Sequence, residues 1–348
     1  MTPKLLVIST SRSDSGQLAP LARLAGCPLV VCGMHHDSNT PHPDEIAGLE
    51  VIRLPRPADS LGLVHQVALR AVLEEQRPDA VVVLGDRFEL LELAVPLVHA
   101  DMVIAHLSGG ERTAGAIDDA VRNAISQLAH LHYPAHALAG ERLVQQGVDP
   151  WRICIAGEPG LDAIRLCPPG DPGIAVGPED VLVALHPVTR DPAETEACLA
   201  AIVGAAAEHP GIFHVSTPNG DPGSDRIRER LQGQRFAPFP NRGAQFFRAL
   251  TAACGVQIGN SSAALVEAPS LGCATVDLGT RQLGRPRGAS VISLQQPTAA
   301  TLLAAIAAAR GLRAQAVPEE NPYGDGRTCA RILAHLQTHL PLARQRAA

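Results

Sequence analysis

Three acidic side chains, Asp86, Glu111 and Asp118, stand where apolar runs give way to polar turns. Asp86 follows Gly85 at the end of the wholly apolar run 80–84. A Gly-Asp pair at the end of a parallel strand holds a carboxylate over the sheet's functional edge and not in its core. Glu111 closes His106-Leu107-Ser108-Gly109-Gly110-Glu111, which follows the apolar run 102–105. Asp118 opens a helical stretch reaching about residue 129, with Arg122 at the i,i+4 spacing of a helix ion pair. A plain N-cap is the alternative for Asp118. The three carboxylates converge if their strands are neighbours, as sequential βαβ strands usually are.

A second constellation is Gly259-Asn260-Ser261-Ser262. The apolar run 254–258 precedes it and an Ala- and Leu-rich helical segment, 263–271, follows. A further apolar run, 273–278, breaks at Gly279 into a segment holding Arg281, Arg285 and Arg287. A strand turning tightly into a helix presents backbone N–H groups and the positive end of a helix dipole to anions. Ser261 or Ser262 could instead merely cap the helix. Glu267 could accept from sugar hydroxyls near the turn, and the arginines come off the next strand end, where open α/β sheets gather ligands. A phosphorylated, hydroxyl-rich ligand such as a nucleotide sugar fits all three features.

Strands and helices must hold these groups in place. Residues 4–9 read as a buried strand, 10–16 as a polar loop carrying Arg12 and Asp14, and 17–24 as a helix. Strand, loop, helix is the opening unit of a doubly wound sheet. A strand at 29–32 leads to His35 and His36 in a polar loop. His35 can face the cleft. No metal site is expected there, because no Cys or carboxylate sits at ligand spacing. His130, His132 and His136 bracket a short strand at 131–134, and helix-end or core roles fit them better than metal. Helices are expected at 61–75, 90–98 and 138–146, and a strand at 153–156 before Gly157-Glu158-Pro159-Gly160. Nothing periodic survives the Pro and Gly of 167–178, which reads as a linker. A second α/β series starts at 181–185 and runs into His186-Pro187-Val188-Thr189. Helices at 192–207, 225–232, 244–251 and 298–310 and strands at 212–216 and 290–294 continue it, before a last helix at 325–340. The expectation is an α/β chain of two Rossmann-like domains, 1–166 and 179–322, with 323–348 as a terminal helix.

The 348 residues, 46% of them apolar, suit two such domains. A formal charge of −6 argues against nucleic acid or an anionic membrane as a bulk partner. No apolar run reaches the length of a membrane span, and the N-terminus lacks a signal-peptide layout. Eight scattered cysteines look like small core residues of a reducing compartment. The cytoplasm is therefore expected.

Six motifs in order, GDRFE at 85–89, HLSGGE at 106–111, IDDAVR at 117–122, HPVT at 186–189, GNSS at 259–262 and GTRQLGR at 279–285, resemble one family. They are similar to those of the UDP-N-acetylglucosamine 2-epimerases, especially the hydrolysing branch that feeds sialic and legionaminic acid synthesis. The resemblance implies the glycosyltransferase-B arrangement, two Rossmann-like domains facing across a cleft, with the last helix returning to the first domain. It implies elimination of the nucleotide, then hydration of the glycal with inversion at C2, giving N-acetylmannosamine or a related sugar and UDP. No cofactor or metal is implied, and a homo-oligomer, dimer or tetramer, is expected.

The C2 proton has no adjacent carbonyl to acidify it, so a base near C2 and stabilisation of the departing phosphate are both needed. The resemblance assigns proton transfer to Asp86 and Asp118, and a place near the phosphates to His186. Ser261, Ser262, Glu267 and Arg281 match its nucleotide-binding positions, and Arg12 its N-terminal-loop arginine. Asp14, His35, Ser108, Arg122, Gly259 and Asn260 complete the expected substrate-binding set. Ser108 departs from the pattern, because much of the family carries a Glu there. A serine is no general base without help, so either Glu111 or Asp119 takes over or the sugar differs, for instance a 2,4-diacetamido sugar. A non-hydrolysing epimerase, a glycosyltransferase of the same two-domain type and an inactive nucleotide-sugar-binding protein are the competing classes.

Overall fold

A computed structural model describes residues 3–32, 42–55, 63–113, 117–189, 191–218 and 222–347. It divides into two compact units, Met1–Glu111 with Ile117–Leu166 and Tyr323–Ala348, and Cys167–Pro322 with Arg112–Ala116.

The first unit is built on β1 (Leu5–Ser9), β2 (Leu29–Val31), β3 (Val51–Arg53), β4 (Ala80–Leu84), β5 (Ile104–Leu107) and β6 (Leu131–Tyr133). All pair in parallel, in the order β3-β2-β1-β4-β5-β6. Its helices are α1 (Arg12–Ala25), α2 (Leu63–Gln76), α3 (Glu89–His99), α4 (Asp118–Leu128), α5 (Ala137–Gln145), α6 (Pro159–Leu166) and the terminal α12 (Thr328–Ala347). Strand periodicity splits the apolar side chains between two cores. Leu5, Val7, Ala80 and Val82 join Cys329, Ile332 and Leu336 of α12 on one face. Leu6, Ile8, Val81 and Val83 meet Leu69, Leu93 and Val121 of α2, α3 and α4 on the other. Asp162 of α6 accepts from the Thr328 and Cys329 amides at 2.8 and 3.0 Å, which caps α12 where it joins this unit.

The second unit holds β7 (Val181–Ala184), β8 (Phe213–Ser216), β9 (Phe236–Phe239), β10 (Val256–Gly259), β11 (Ala274–Leu278) and β12 (Val291–Leu294), in the parallel order β12-β11-β10-β7-β8-β9. The helices are α7 (Pro192–Glu208), α8 (Ser224–Arg230), α9 (Gly243–Cys254), the single turn α10 (Ala263–Val266) and α11 (Ala299–Leu312). In each sheet the strand order reverses beside the first strand of the unit, between β1 and β4 and between β7 and β10. Loops leaving those strand ends splay apart and open a crevice for ligands.

Four local expectations need correction. The loop expected at 10–16 is mostly the first turns of α1. Ser11 caps that helix in a box closed by Asp14, and the box sets the start at Arg12. The strand expected at 153–156 is a single parallel bridge from Ile153 to His132. The short edge strands β3 and β9 were not expected: β3 is three residues long, and Pro238 within β9, which only an edge tolerates, reads against a strand. The helix expected at 263–271 is one α turn followed by a 3-10 turn, Ala268–Leu271. Among the described residues no helix is long and apolar enough to cross a membrane.

Candidate active site

In the first unit Arg122 organises the carboxylates. It lies one helical turn into α4, with its side chain only 2% exposed. The guanidinium pairs with Asp86 at the end of β4, with Asp119 at 2.9 Å, and with the Glu111 carbonyl at 2.9 Å. One buried cation thus gathers groups from β4, from the segment after β5 and from α4. The ion pairs of Arg122 thus run within α4, to Asp119, and across to Asp86 at the end of β4. Asp118 itself stands half-buried in the first turn of α4.

His106, on β5, fixes the backbone just before Asp86. Its Nε2 donates to the Gly85 carbonyl at 2.8 Å, so Nδ1 accepts from Ser126 Oγ at 3.0 Å. Burial pushes its pKa down to about 4, and the ring is neutral. Beyond β5, Glu111 is buried and lies 2.7 Å from His136 Nε2. His136 Nδ1 accepts from the Ala139 amide and caps α5. Ser108 has a left-handed backbone, φ 58°, and donates to Glu158 Oε1 at 3.0 Å.

Asp14 is buried and bonded within its own turn. Oδ2 accepts from the Thr10 and Ser11 amides and the Thr10 hydroxyl, and Oδ1 from the Ser11 hydroxyl. Burial raises its pKa against those bonds. Arg12 begins α1, and its side chain lies outside the described residues, as does His35 entirely.

In the second unit Asn260, fully buried, clamps the end of β10 to the loop after β7. Its Oδ1 accepts from the His186 amide at 2.7 Å and its Nδ2 donates to the His186 carbonyl at 2.8 Å. The Asn260 carbonyl in turn accepts from Arg281 Nη1 at 3.0 Å and Gln282 Nε2 at 2.8 Å. Gly259 has φ 131°, and a Cβ there would overlap the Ala184 carbonyl, so only glycine permits this approach. The amides of Asn260 and Ser261 both donate to that carbonyl at 3.2 Å. Two of the N–H groups the sequence offers to an anion are therefore spent inside the turn.

Ser262 makes no capping bond and stays exposed, while Ser261 is half-buried. Glu267 accepts from the buried Arg248 of α9 at 2.8 Å. Of the three arginines after β11, Arg287 is tied to buried Asp277 at 2.7 Å and to the Gln282 carbonyl. Burial raises the Asp277 pKa against that bond. Glu194 of α7 fixes the Thr280 amide and hydroxyl, each at 2.7 Å, and so aims the turn that carries Arg281.

The expected residues thus gather into one group per unit: Asp86, Ser108, Glu111 and Arg122 in the first, His186, Gly259, Asn260, Ser261, Ser262 and Arg281 in the second. Sequence reasoning missed His106, His136, Arg248 and Glu194 as supports. It also missed Glu158, although a Gly-Glu-Pro-Gly turn was a visible signal.

A family model described as UDP-N-acetylglucosamine 2-epimerase matches residues 28–337. A hydrolysing UDP-N,N'-diacetylbacillosamine 2-epimerase of Legionella pneumophila is 29% identical over 99% of this chain and 98% of its own length. A UDP-N-acetylglucosamine 2-epimerase of Neisseria meningitidis serogroup B is 30% identical over 85% of this chain and 84% of its own. The crystal structure of the Neisseria meningitidis UDP-GlcNAc 2-epimerase bound to UDP-GlcNAc superposes with a TM-score of 0.78 at 18% identity, covering 96% of this chain and 100% of that one. The fold is the α/β, two-Rossmann-unit class of the glycosyltransferase-B type.

Proposed function

We propose a hydrolysing 2-epimerase of a UDP-N-acetylhexosamine, because the chain belongs to the UDP-N-acetylglucosamine 2-epimerase family. The substrate is UDP-N-acetylglucosamine or its 2,4-diacetamido relative, and the products are the C2-inverted free sugar and UDP. The observation that carries this reading is the grip of buried Arg122 on Asp86, Asp119 and the Glu111 carbonyl, which presents carboxylates at one end of the first sheet. Asp86 takes the C2 proton as the C1–O bond breaks, and Asp118 returns a proton to the opposite face, with Glu111 nearby. The second unit holds the nucleotide through Ser262, Glu267 and Arg281 and stabilises the departing phosphate with Arg281 and His186. The likeness to the Legionella enzyme supports the hydrolysing branch and a diacetamido sugar.

The test is mass spectrometry of products from a panel of UDP- and GDP-sugars in deuterated water. UDP release with one deuterium at C2 of a free sugar is the expected outcome. A product that keeps its nucleotide selects the non-hydrolysing reaction instead.

The compartment we propose is the cytoplasm, supported by eight free cysteines, six of them buried. We also propose a homo-oligomer. Phe88, Leu91, Val95 and Val98 form an exposed apolar stripe along α3, 37–50% exposed at one-face spacing. Val95→Lys should shift the mass found by light scattering toward the monomer, and an unchanged mass removes α3 from the interface.

A further inference from the structure

Glu158 has no part in the chemistry described so far, and the first unit holds it through Ser108. Ser108 follows β5 with a positive φ, a conformation a non-glycine residue adopts at a cost and which it shares here with Arg77 and Asp101. Its amide donates to the Tyr133 carbonyl at 3.0 Å, and its hydroxyl to Glu158 Oε1 at 3.0 Å. Glu158 is 8% exposed. Its amide donates to the Tyr323 carbonyl at 2.8 Å, and its carbonyl accepts from the Thr328 hydroxyl at 3.2 Å. Gly157, at φ 97°, permits that approach, since a Cβ there would lie 2.7 Å from the Thr328 hydroxyl. The Tyr323 ring meets His136 edge-on at 5.5 Å, and His136 faces Glu111.

Glu158 is thus fixed from backbone to carboxylate at the end of β5. The neighbouring strand on the far side of β5, β4, ends in Asp86, and neighbouring strands lie about 5 Å apart. An ionised carboxylate accepts hydrogen bonds and gives none. The Ser108 hydroxyl donates to one of its oxygens and so orients it. A nearly buried, oriented acceptor suits a base for water.

We propose that Glu158 is the general base of the hydration half-reaction and that Ser108 is its positioning residue. The inference rests on the proposed hydrolysing reaction. In that step the water oxygen bonds to C1 and one water proton passes to Glu158. The C1=C2 electron pair takes the proton carried by Asp118, forming the new C2–H bond. Asp86, protonated during elimination, and Glu158 then release their protons, Asp118 regains one, and the net yield is one proton with free UDP. Elimination does not need Glu158.

The test compares wild type, Glu158→Gln and Ser108→Ala on the UDP-sugar the wild type consumes. UDP release and the ratio of hydrated sugar to free glycal are read by mass spectrometry. Glu158→Gln keeps its shape and both backbone bonds. It should keep UDP release within about threefold and lower the sugar-to-glycal ratio at least tenfold. Ser108→Ala should lower the ratio by a smaller factor in the same direction. An unchanged ratio in Glu158→Gln overturns the inference, and so does a parallel loss of UDP release, which marks a structural role. Wild type that releases no UDP from any sugar overturns the proposed function, and this inference with it.

Discussion

Asn260 and His186 exchange two hydrogen bonds, side chain to backbone, at 2.7 and 2.8 Å across the strand-order reversal of the second sheet. The amide of Asn260 thereby copies a strand pairing that neither loop makes by itself. Asn260→Ala takes the partner from the part-buried His186 amide and carbonyl, at a cost of up to about 1–3 kcal/mol each. UDP affinity should fall at least tenfold, because the turn carrying Ser262 and the loop carrying His186 come loose together. Urea unfolding and calorimetry with UDP check the two effects. A loss of stability with unchanged affinity makes the clamp purely structural.

Arg281 bonds the Asn260 carbonyl with one nitrogen, and Ser262 stands exposed beside the turn. Arg281→Ala should weaken UDP binding by about ten- to a hundredfold, the scale of a charge-assisted bond. Ser262→Ala should weaken it less, with folding intact in both. Calorimetry giving wild-type affinity for both variants removes the nucleotide from this turn.

Arg122→Met removes the cation between Asp86 and Asp119. Breaking a buried pair from one side costs about 3–5 kcal/mol, and partial exposure of both acids favours the lower end. Stability in urea should drop by that amount, and recovery in Asp86→Asn/Arg122→Met shows that the stranded charge is the cause.

Asp86→Asn by itself keeps the shape of the β4 end and removes the base. Deuterium entry at C2 and UDP release should both fall by at least a hundredfold, with UDP binding retained. Turnover at the wild-type rate ends the carboxylate mechanism.

His106 and His132 lie side by side on β5 and β6. Burial pushes their pKa values down to about 4 and about 3. In the unfolded chain both return to roughly 6.5, so below that pH the unfolded state binds more protons. Their contribution is whole above about pH 6.5 and falls as acid is added, by up to about 1.4 kcal/mol per pH unit for each ring. Neither nitrogen of His132 has a hydrogen-bond partner among the described residues. His132→Leu should therefore be no less stable at pH 7 and lose less stability between pH 6.5 and 4.5. Urea midpoints at the two pH values decide it, and parallel losses in both proteins remove His132 from the acid response.

Local pattern by itself determined the strands Ala80–Leu84 and Ala274–Leu278, helices such as Glu89–His99 and Pro192–Glu208, and the turns that end in Asp86 and in Gly259–Ser262. Apolar runs of five residues and glycine-rich breaks are properties of consecutive residues, so no partner is needed to read them. Short edge strands such as Val51–Arg53 were invisible, because three half-exposed residues owe their conformation to the neighbouring strand. The tertiary structure decided which groups meet. Arg122 reaches Asp86 across 36 residues, Asn260 reaches His186 across 74, and Ser108 reaches Glu158 across 50. Those separations are crossed only once the sheet order places the strand ends side by side. Asp14, which reads as a ligand group, also closes the capping box of its own turn through bonds to Thr10 and Ser11, a role set by residues three and four positions before it.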